Sequence, residues 1–453
     1  MSLLRAAIPC GMIGALLVAA PLPHDPAALA AEPPEAQPEA QPTGEQPAES
    51  KLLGGDLGGL RPALAASGIE LGITYIGEAF GSPTGGVRRG AVYDGQLGAS
   101  LDADLDKLAG WPGAKAHVNA LEIHGRGASR DLLGGNLMTV SNIEARPALR
   151  LYTLWFEQGL FDDKVSLRLG QIAADGEFIL SSTAGGLING TFGWPAMAAA
   201  DTTAGGPAYP LAQPGVRLQV KPTAGLTLRG AVFSGNPGGQ GCLGDPQLCN
   251  RSGTTFSLSG GTLWIGELEY DVNSGKTAKG LPGSYKLGAW RETGSFPDQL
   301  TGVRGRSGDW AVYGVADQTL WRPDAGGGRE LSVFMRTAAA PSDRNLISWY
   351  IDGGVGFKAP LPDRPDDVLT LGVAYARISS DAARADRLAG PPTPVRDHEA
   401  VIEVSYSAAV VPGWTMQPDL QYVIHPGGNV ASPTGSGPIR DALVIGLRTT
   451  FAF

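Results

Sequence analysis

Leu443-Val444-Ile445-Gly446-Leu447-Arg448-Thr449-Thr450-Phe451-Ala452-Phe453 closes the chain. Leu443, Ile445, Leu447, Phe451 and Phe453 fall on one alternate set, interrupted only by Thr449; Val444, Gly446, Arg448, Thr450 and Ala452 fall on the other. Successive side chains of a strand point to opposite faces. The segment therefore reads as a β-strand with an apolar face, a face that carries an arginine, and an aromatic end.

The same period runs backward through the chain. Ile69, Leu71, Ile73 and Tyr75 alternate with Glu70, Gly72 and Thr74, and Val165, Leu167 and Leu169 alternate with Ser166, Arg168 and Gly170. Val216, Leu218 and Val220 alternate with Arg217, Gln219 and Lys221, and Ile402, Val404 and Tyr406 with Glu403 and Ser405. No long helical period competes, so the body is all-β. Strands are expected near 68–80, 91–105, 114–124, 150–158, 163–171, 215–221, 225–234 and 262–271, then near 283–292, 310–320, 329–338, 347–358, 367–379, 399–411, 413–425 and 440–453.

That makes about sixteen strands. Some are joined by tight turns (Asp162-Asp163, Thr223-Ala224, Val411-Pro412-Gly413), others by long Gly/Pro-rich stretches (172–214, 235–261, 380–398). An even count of such strands is the pattern of a transmembrane antiparallel β-barrel of a bacterial outer membrane, with short turns on the periplasmic side. Closure leaves no free edge. In such barrels the terminal strand ends on an aromatic that serves the barrel-assembly machinery, which makes Phe453 the candidate assembly signal. Arg61-Pro62-Ala63-Leu64-Ala65-Ala66-Ser67-Gly68 places Pro in a first helical turn and Gly after the last, which predicts a short N-terminal helix near the periplasmic mouth or a simple turn into the first strand.

The start of the chain fits export. Arg5 precedes a mostly apolar stretch, Ala6 to Ala20, too short for a stable membrane helix, and Ala28-Leu29-Ala30 offers a small-residue cleavage site. Residues 1–30 read as a signal peptide and 31–53 as a Pro/Glu/Gln-rich disordered leader; 54–453 is the barrel. The leader holds five Glu and no Lys or Arg, leaving only about −4 of the net charge of −9 for the rest, which argues against nucleic acid as a partner. No later apolar run is long enough for a transmembrane helix. A mean hydropathy of −0.03 suits a lipid-facing band averaged with a polar lumen, and equally a secreted β-domain.

Cys242 and Cys249 lie in a Gly/Pro/Asp/Asn stretch and are expected to form one disulfide in an exported loop. Neither they, with no His nearby, nor His117 and His124, whose spacing puts them on opposite faces of one strand, point to a metal site. No nucleophile elbow, H-E-x-x-H or phosphate-binding glycine loop occurs, and no cofactor is implied.

Several ordered blocks resemble the carbohydrate-selective porins of the OprB family, over essentially the whole body from about Gly54. They are Gly55-Asp56-Leu57-Gly58-Gly59-Leu60-Arg61 leading to Gly68-Ile69, Leu108-Ala109-Gly110-Trp111-Pro112-Gly113-Ala114, and Gly170-Gln171 running to Glu177-Phe178. Phe192-Gly193-Trp194-Pro195 and Pro214-Gly215-Val216-Arg217-Leu218 complete the series. The first block departs from the family at Leu57, where Trp is usual. The resemblance implies a sixteen-stranded barrel in outer-membrane lipid that passes sugars, monosaccharides such as glucose, into the periplasm by facilitated diffusion. A general or differently selective porin on the same barrel is the alternative, with an outer-membrane enzyme or adhesin behind it; the sequence leaves open whether the chain forms a homo-oligomer.

A sugar offers hydroxyls and apolar ring faces, so its channel wants charged or amide groups for hydrogen bonds and aromatics for stacking. With Tyr152, Leu154 and Phe156 toward lipid, parity turns Thr153, Trp155 and Glu157 into the lumen, together with Glu70, Glu78, Arg168, Arg217, Arg229, Gln421 and Arg448. A single bulge would reverse such assignments, and each charge also admits a purely structural pairing across the barrel. Trp155 is the preferred stacking residue, whereas Trp111 and Trp194 suit girdle or loop packing. The 172–214 segment, with Phe178, Asn189, Trp194 and Tyr209, is the expected inward-folding constriction.

Overall fold

The computed structural model describes residues 52–275, 278–323, 328–433 and 437–453; the expected signal peptide and nearly all of the leader lie outside the described residues. Strands form where the period-two pattern predicts: β1 (Ile69–Gly86), β2 (Gly90–Asp104), β3 (Ala114–Gly125), β4 (Ala148–Leu160), β5 (Val165–Ile172), β6 (Gln213–Thr223), β7 (Leu226–Ser234) and β8 (Thr262–Val272). The second half holds β9 (Gly283–Pro297), β10 (Arg304–Trp321), β11 (Glu330–Ala339), β12 (Ile347–Lys358), β13 (Val368–Ile378), β14 (His398–Val411), β15 (Trp414–Ile424) and β16 (Arg440–Ala452). Each pairs antiparallel with its sequence neighbours, and β1 pairs with β16, so the sheet closes and every backbone ladder is satisfied inside the barrel.

The termini of the barrel meet at one end. The Leu53 amide donates to the Ala452 carbonyl (2.7 Å) and the Phe453 amide to that of Ile73 (2.8 Å). The helix Leu60–Ala66 lies beside β1 here, with Pro62 in its first turn and Gly68 at φ +88° just past its end. Connections at this end, such as 161–164, 224–225 and 412–413, are short, while the other end carries 126–147, 173–212, 235–261, 379–397 and 425–439. The first end is therefore periplasmic and the second external. Cys242 and Cys249 are joined in the external segment 235–261, their Cα atoms 5.9 Å apart.

Outward residues are apolar and exposed, Leu71, Leu167, Leu218, Val404 and Ile445 among them. Aromatics border this band. Tyr93, Trp264, Trp310, Trp349 and Tyr422 lie toward the external end of their strands, and Trp111, Tyr270, Tyr285 and Trp321 toward the periplasmic end, where Trp111 packs on Phe156 at 5.2 Å. Two belts at the two interfaces are what a barrel in lipid requires.

One outward assignment fails. The β3/β4 register slips between Asn119 and Ala120, whose partners are Thr153 and Leu151, so Tyr152 is the extra residue of a bulge. Leu154 stays outward and exposed, but Tyr152 is buried inside the barrel with its hydroxyl on Asp175 (3.1 Å). An unpaired residue shifts the parity of everything on its external side, which turns Leu149 outward and Arg150 inward.

Candidate functional site

The interior of the barrel is not lined by polar residues throughout. The connection 173–212 folds inward and lays Phe178, Ile179, Leu187, Ile188, Phe192 and Met197 against inward Phe233, Trp290, Tyr313, Phe334, Tyr350 and Val401 of the wall, forming one buried apolar cluster. This is the segment expected from sequence to form the constriction, and it covers one side of the lumen with a true hydrophobic core. Met138 and Val140 of 126–147 join the same cluster, so two connections enter the barrel.

Wall side chains fix the inserted backbone. Glu267 accepts the Ile179 amide (2.9 Å), Asp317 that of Thr183 (3.2 Å), Glu292 that of Thr203 (3.0 Å), and Glu403 those of Ile188 (2.5 Å) and Asn189 (3.0 Å). From the opposite polarity, the Arg336 guanidinium donates to the carbonyls of Ile179 (3.2 Å), Gly193 (3.1 Å) and Thr191 (2.9 Å). Arg336 stands directly across from Asp352 and binds it through Nε at 3.1 Å to both oxygens, and Asp352 also accepts from Tyr350 (2.6 Å). Glu399 holds the Leu137 and Met138 amides of the second inserted segment, at 2.8 and 2.7 Å. Charge-assisted bonds of this kind are the strong ones, so both segments are docked structures.

Of the four constriction candidates chosen from sequence, Phe178 and Asn189 meet the wall, while Trp194 and Tyr209 bond to the inserted segments themselves. Phe178 is in the apolar cluster. Asn189 is fully buried, and its amide donates to Gln421 Oε1 (2.9 Å). Trp194 donates to the Gly205 carbonyl (3.1 Å). Tyr209 gives its backbone N–H to Asp175 (2.7 Å) and its hydroxyl proton to the Ile143 carbonyl (2.7 Å). Burial pushes the Asp175 carboxyl up to about 6, against the hydrogen bonds that favour its charged form.

The polar side of the lumen is a set of paired charges. Arg168 and Arg217 sit opposite each other in register on β5 and β6. Two glutamates bridge them. Glu157 on β4 accepts from Arg168 (2.7 Å) and Arg217 (2.8 Å), and Glu177 of the inserted segment accepts from the same two at 2.8 and 2.7 Å. Arg229 is held by Gln219 (2.7 Å) and binds Glu269, which also meets Lys286 (3.3 Å). Glu78 lies opposite Arg448 and binds it, with Asn142 on the same guanidinium (2.5 Å). Glu70 is apart from these, exposed at the periplasmic mouth.

Trp155 points inward but does not offer a free ring face. His117 on β3 stacks on it at 4.8 Å, and the Arg168 guanidinium on β5 lies 3.7 Å from the ring centre. Because β3 and β5 flank β4, these neighbours take its two sides. Opposite Trp155, Gly170 has φ +140°, and a Cβ there would stand 2.2 Å from the Leu154 carbonyl oxygen, so the ladder at this point requires glycine. His117 is itself bound by Asp102 (2.6 Å) and Thr153 (3.0 Å), while His124 faces outward against Tyr75 and Tyr93.

Glu267, Asp317, Arg336, Asp352, Glu399 and Glu403 were not signalled as site residues by the sequence. Parity alone turns them inward; nothing local distinguishes an anchor from a pore charge.

Comparison with known proteins gives a consistent picture. The sequence profile of the carbohydrate-selective porin, OprB family, matches residues 88–453. Porin B of Pseudomonas aeruginosa is 26% identical over 442 residues, covering 89% of this chain and 92% of that one. A putative porin of Acinetobacter baylyi, QuiX, is 24% identical over 443 residues, covering 88% and 92%. The high-pH structure of Pseudomonas putida OprB shares the fold with a TM-score of 0.77 at 23% identity, over 90% of this chain and 100% of that one.

Proposed function

The chain belongs to the OprB family of carbohydrate-selective porins, and from that premise we propose that it passes monosaccharides of the glucose class into the periplasm by passive, substrate-selective diffusion. The observation that carries the selectivity is the charge balance of the network on β4–β9 beside the docked segment. Arg168 and Arg217 are balanced by Glu157 and Glu177, and Arg229 and Lys286 by Glu267 and Glu269. Such a lining gives an ion little net attraction, since each charge is compensated within a few ångströms. Arg217, Glu177 and Glu267 are buried within this network, and a polyhydroxyl solute, whose every O–H both donates and accepts, meets its partly exposed edge, where Glu157, Arg229 and Glu269 are held as fixed donors and acceptors. The covered faces of Trp155 move the emphasis from ring stacking to hydrogen bonding.

Liposome swelling with glucose, a larger oligosaccharide and an amino acid of similar size tests this. Glucose should enter faster than its size predicts. Entry ranked by size alone would make the chain a general porin on the same barrel, and no swelling by folded protein would refute the channel itself. Phe453, whose amide closes β16 onto β1, supports a second element of the reading, recognition of the terminal strand by the barrel-assembly machinery.

A further inference from the structure

The external rim on the β13–β15 side gathers three metal-binding groups that neither spacing nor composition brings together. Asp397 ends the connection 379–397, His398 begins β14, and His425 follows β15. Asp397 Oδ1 is 3.0 Å from His425 Nδ1, Asp397 Oδ2 is 3.2 Å from His398 Nδ1, and one ligand atom from each residue lies within 4.8 Å of the other two. We propose that Asp397, His398 and His425 bind a divalent transition-metal ion of the Zn2+ class, which ties the connection 379–397 to the turn after β15.

The distances support this. Zn2+ holds imidazole nitrogen and carboxylate oxygen at about 2.0–2.2 Å, which places neighbouring ligands of a tetrahedral site roughly 3.3 Å apart. Each His–Asp separation is close to that edge, His425 through Asp397 Oδ1 and His398 through Oδ2, and a small rotation of the exposed carboxylate brings one oxygen between the two nitrogens. The imidazoles lie side by side, ring centres 4.6 Å apart. Two imidazoles and one carboxylate suit a borderline-soft ion better than Ca2+ or Mg2+, which take oxygen ligands. Three protein ligands leave one position for water.

The surroundings are those of a positioned site. The Asp397 amide donates to the Gly428 carbonyl (3.0 Å) and its carbonyl accepts the Ile378 amide (2.8 Å). The His425 amide donates to Asp441 (2.9 Å), and His425 is held at φ +51° ahead of Pro426. Tyr375 stacks on His398 at 5.0 Å and fixes its ring. Of the other charged groups near these elements, Arg396 is engaged by Asp386 (2.9 Å), Glu399 points into the barrel, and Arg377 stands opposite His398 in the β13–β14 ladder, exposed to solvent.

The test is equilibrium Zn2+ titration of the folded, detergent-solubilised chain, prepared without a histidine tag, near neutral pH, with Co2+ absorption as a second reading of nitrogen and oxygen ligation. One Zn2+ per chain is expected. His398→Ala, Asp397→Asn and His425→Asn should each weaken it tenfold or more; Asn is chosen for position 425 because it tolerates a left-handed backbone. His124→Ala, away from the site, should bind as the original chain does. Folding of each variant is checked by its shifted mobility in unheated gels. Absence of saturable binding in the original chain, or unchanged binding in folded His398→Ala and His425→Asn, would overturn the proposal and leave the trio a hydrogen-bonded staple.

Discussion

Replacing Arg336 by Leu should open the lumen without unfolding the barrel. The side chain is buried, and its loss removes the donors to Ile179, Gly193 and Thr191 together with the partner of Asp352. Removing one member of a buried pair costs about 3–5 kcal/mol, because the remaining charge is uncompensated. The ladder between β11 and β12 does not depend on the side chain, so the cost falls on docking of 173–212. If about 3 kcal/mol of it appears there, the undocked population rises by roughly two powers of ten. Single-channel recording in planar bilayers reads this directly. The original chain should hold one level, and Arg336→Leu should show excursions to a larger conductance and admit oligosaccharides it formerly excluded. The Arg336→Leu, Asp352→Leu double variant should fall between, since replacing both partners by apolar groups is close to neutral. An unaltered conductance and unaltered noise in folded Arg336→Leu would refute the clamp.

Three further outcomes follow from the same contacts. Asp175 carries a raised carboxyl, about 6 when folded against 3.8 unfolded, so its charged form is penalised by about 3 kcal/mol. Docking should therefore weaken as pH rises from about 4 to about 6 and level off above; Asp175→Asn should remove that component from the pH profile of channel noise, and identical profiles would contradict the assignment. Arg168→Leu leaves Arg217 between two glutamates, so the reversal potential in a KCl gradient should shift toward cation preference, and an unmoved potential would mean the network does not border the ion path. Phe453 is partly exposed, so Phe453→Ala should lower stability of the refolded barrel by no more than about 1 kcal/mol while reducing its level in the outer membrane; equal levels would remove Phe453 as an assembly signal.

The strands were legible because lipid imposes one rule on every outward position. All sixteen appear where alternation predicted them, including β16 with Ile445 and Leu447 outward and Arg448 inward. The failures have two physical causes. Tyr152 was misassigned because a one-residue bulge carries no compositional mark in Leu151-Tyr152-Thr153. Inward Trp290, Phe334 and Tyr350 were unreadable as core because their partners come from the inserted connection, far away in sequence and without a period of its own.

The division of the lumen charges into anchors and pore lining is likewise a long-range property. Glu403 and Ile188, or Glu399 and Met138, are brought together only when the barrel has closed. Each inserted backbone N–H loses its water and needs an acceptor, and the inserted segment lacks a strand partner to supply one. Turns within the segment meet part of that need and carboxylates on the wall meet another part, so the number of inward acids reflects the backbone that must be held as well as the solute that must pass. Arg168, Arg217 and Glu157 belong to the wall, but their fourth partner, Glu177, belongs to the inserted segment. The polar face offered to a solute is therefore completed only by docking. Whatever selectivity the channel has depends on the same contacts that fix its width, and a variant that loosens the segment should lose both together.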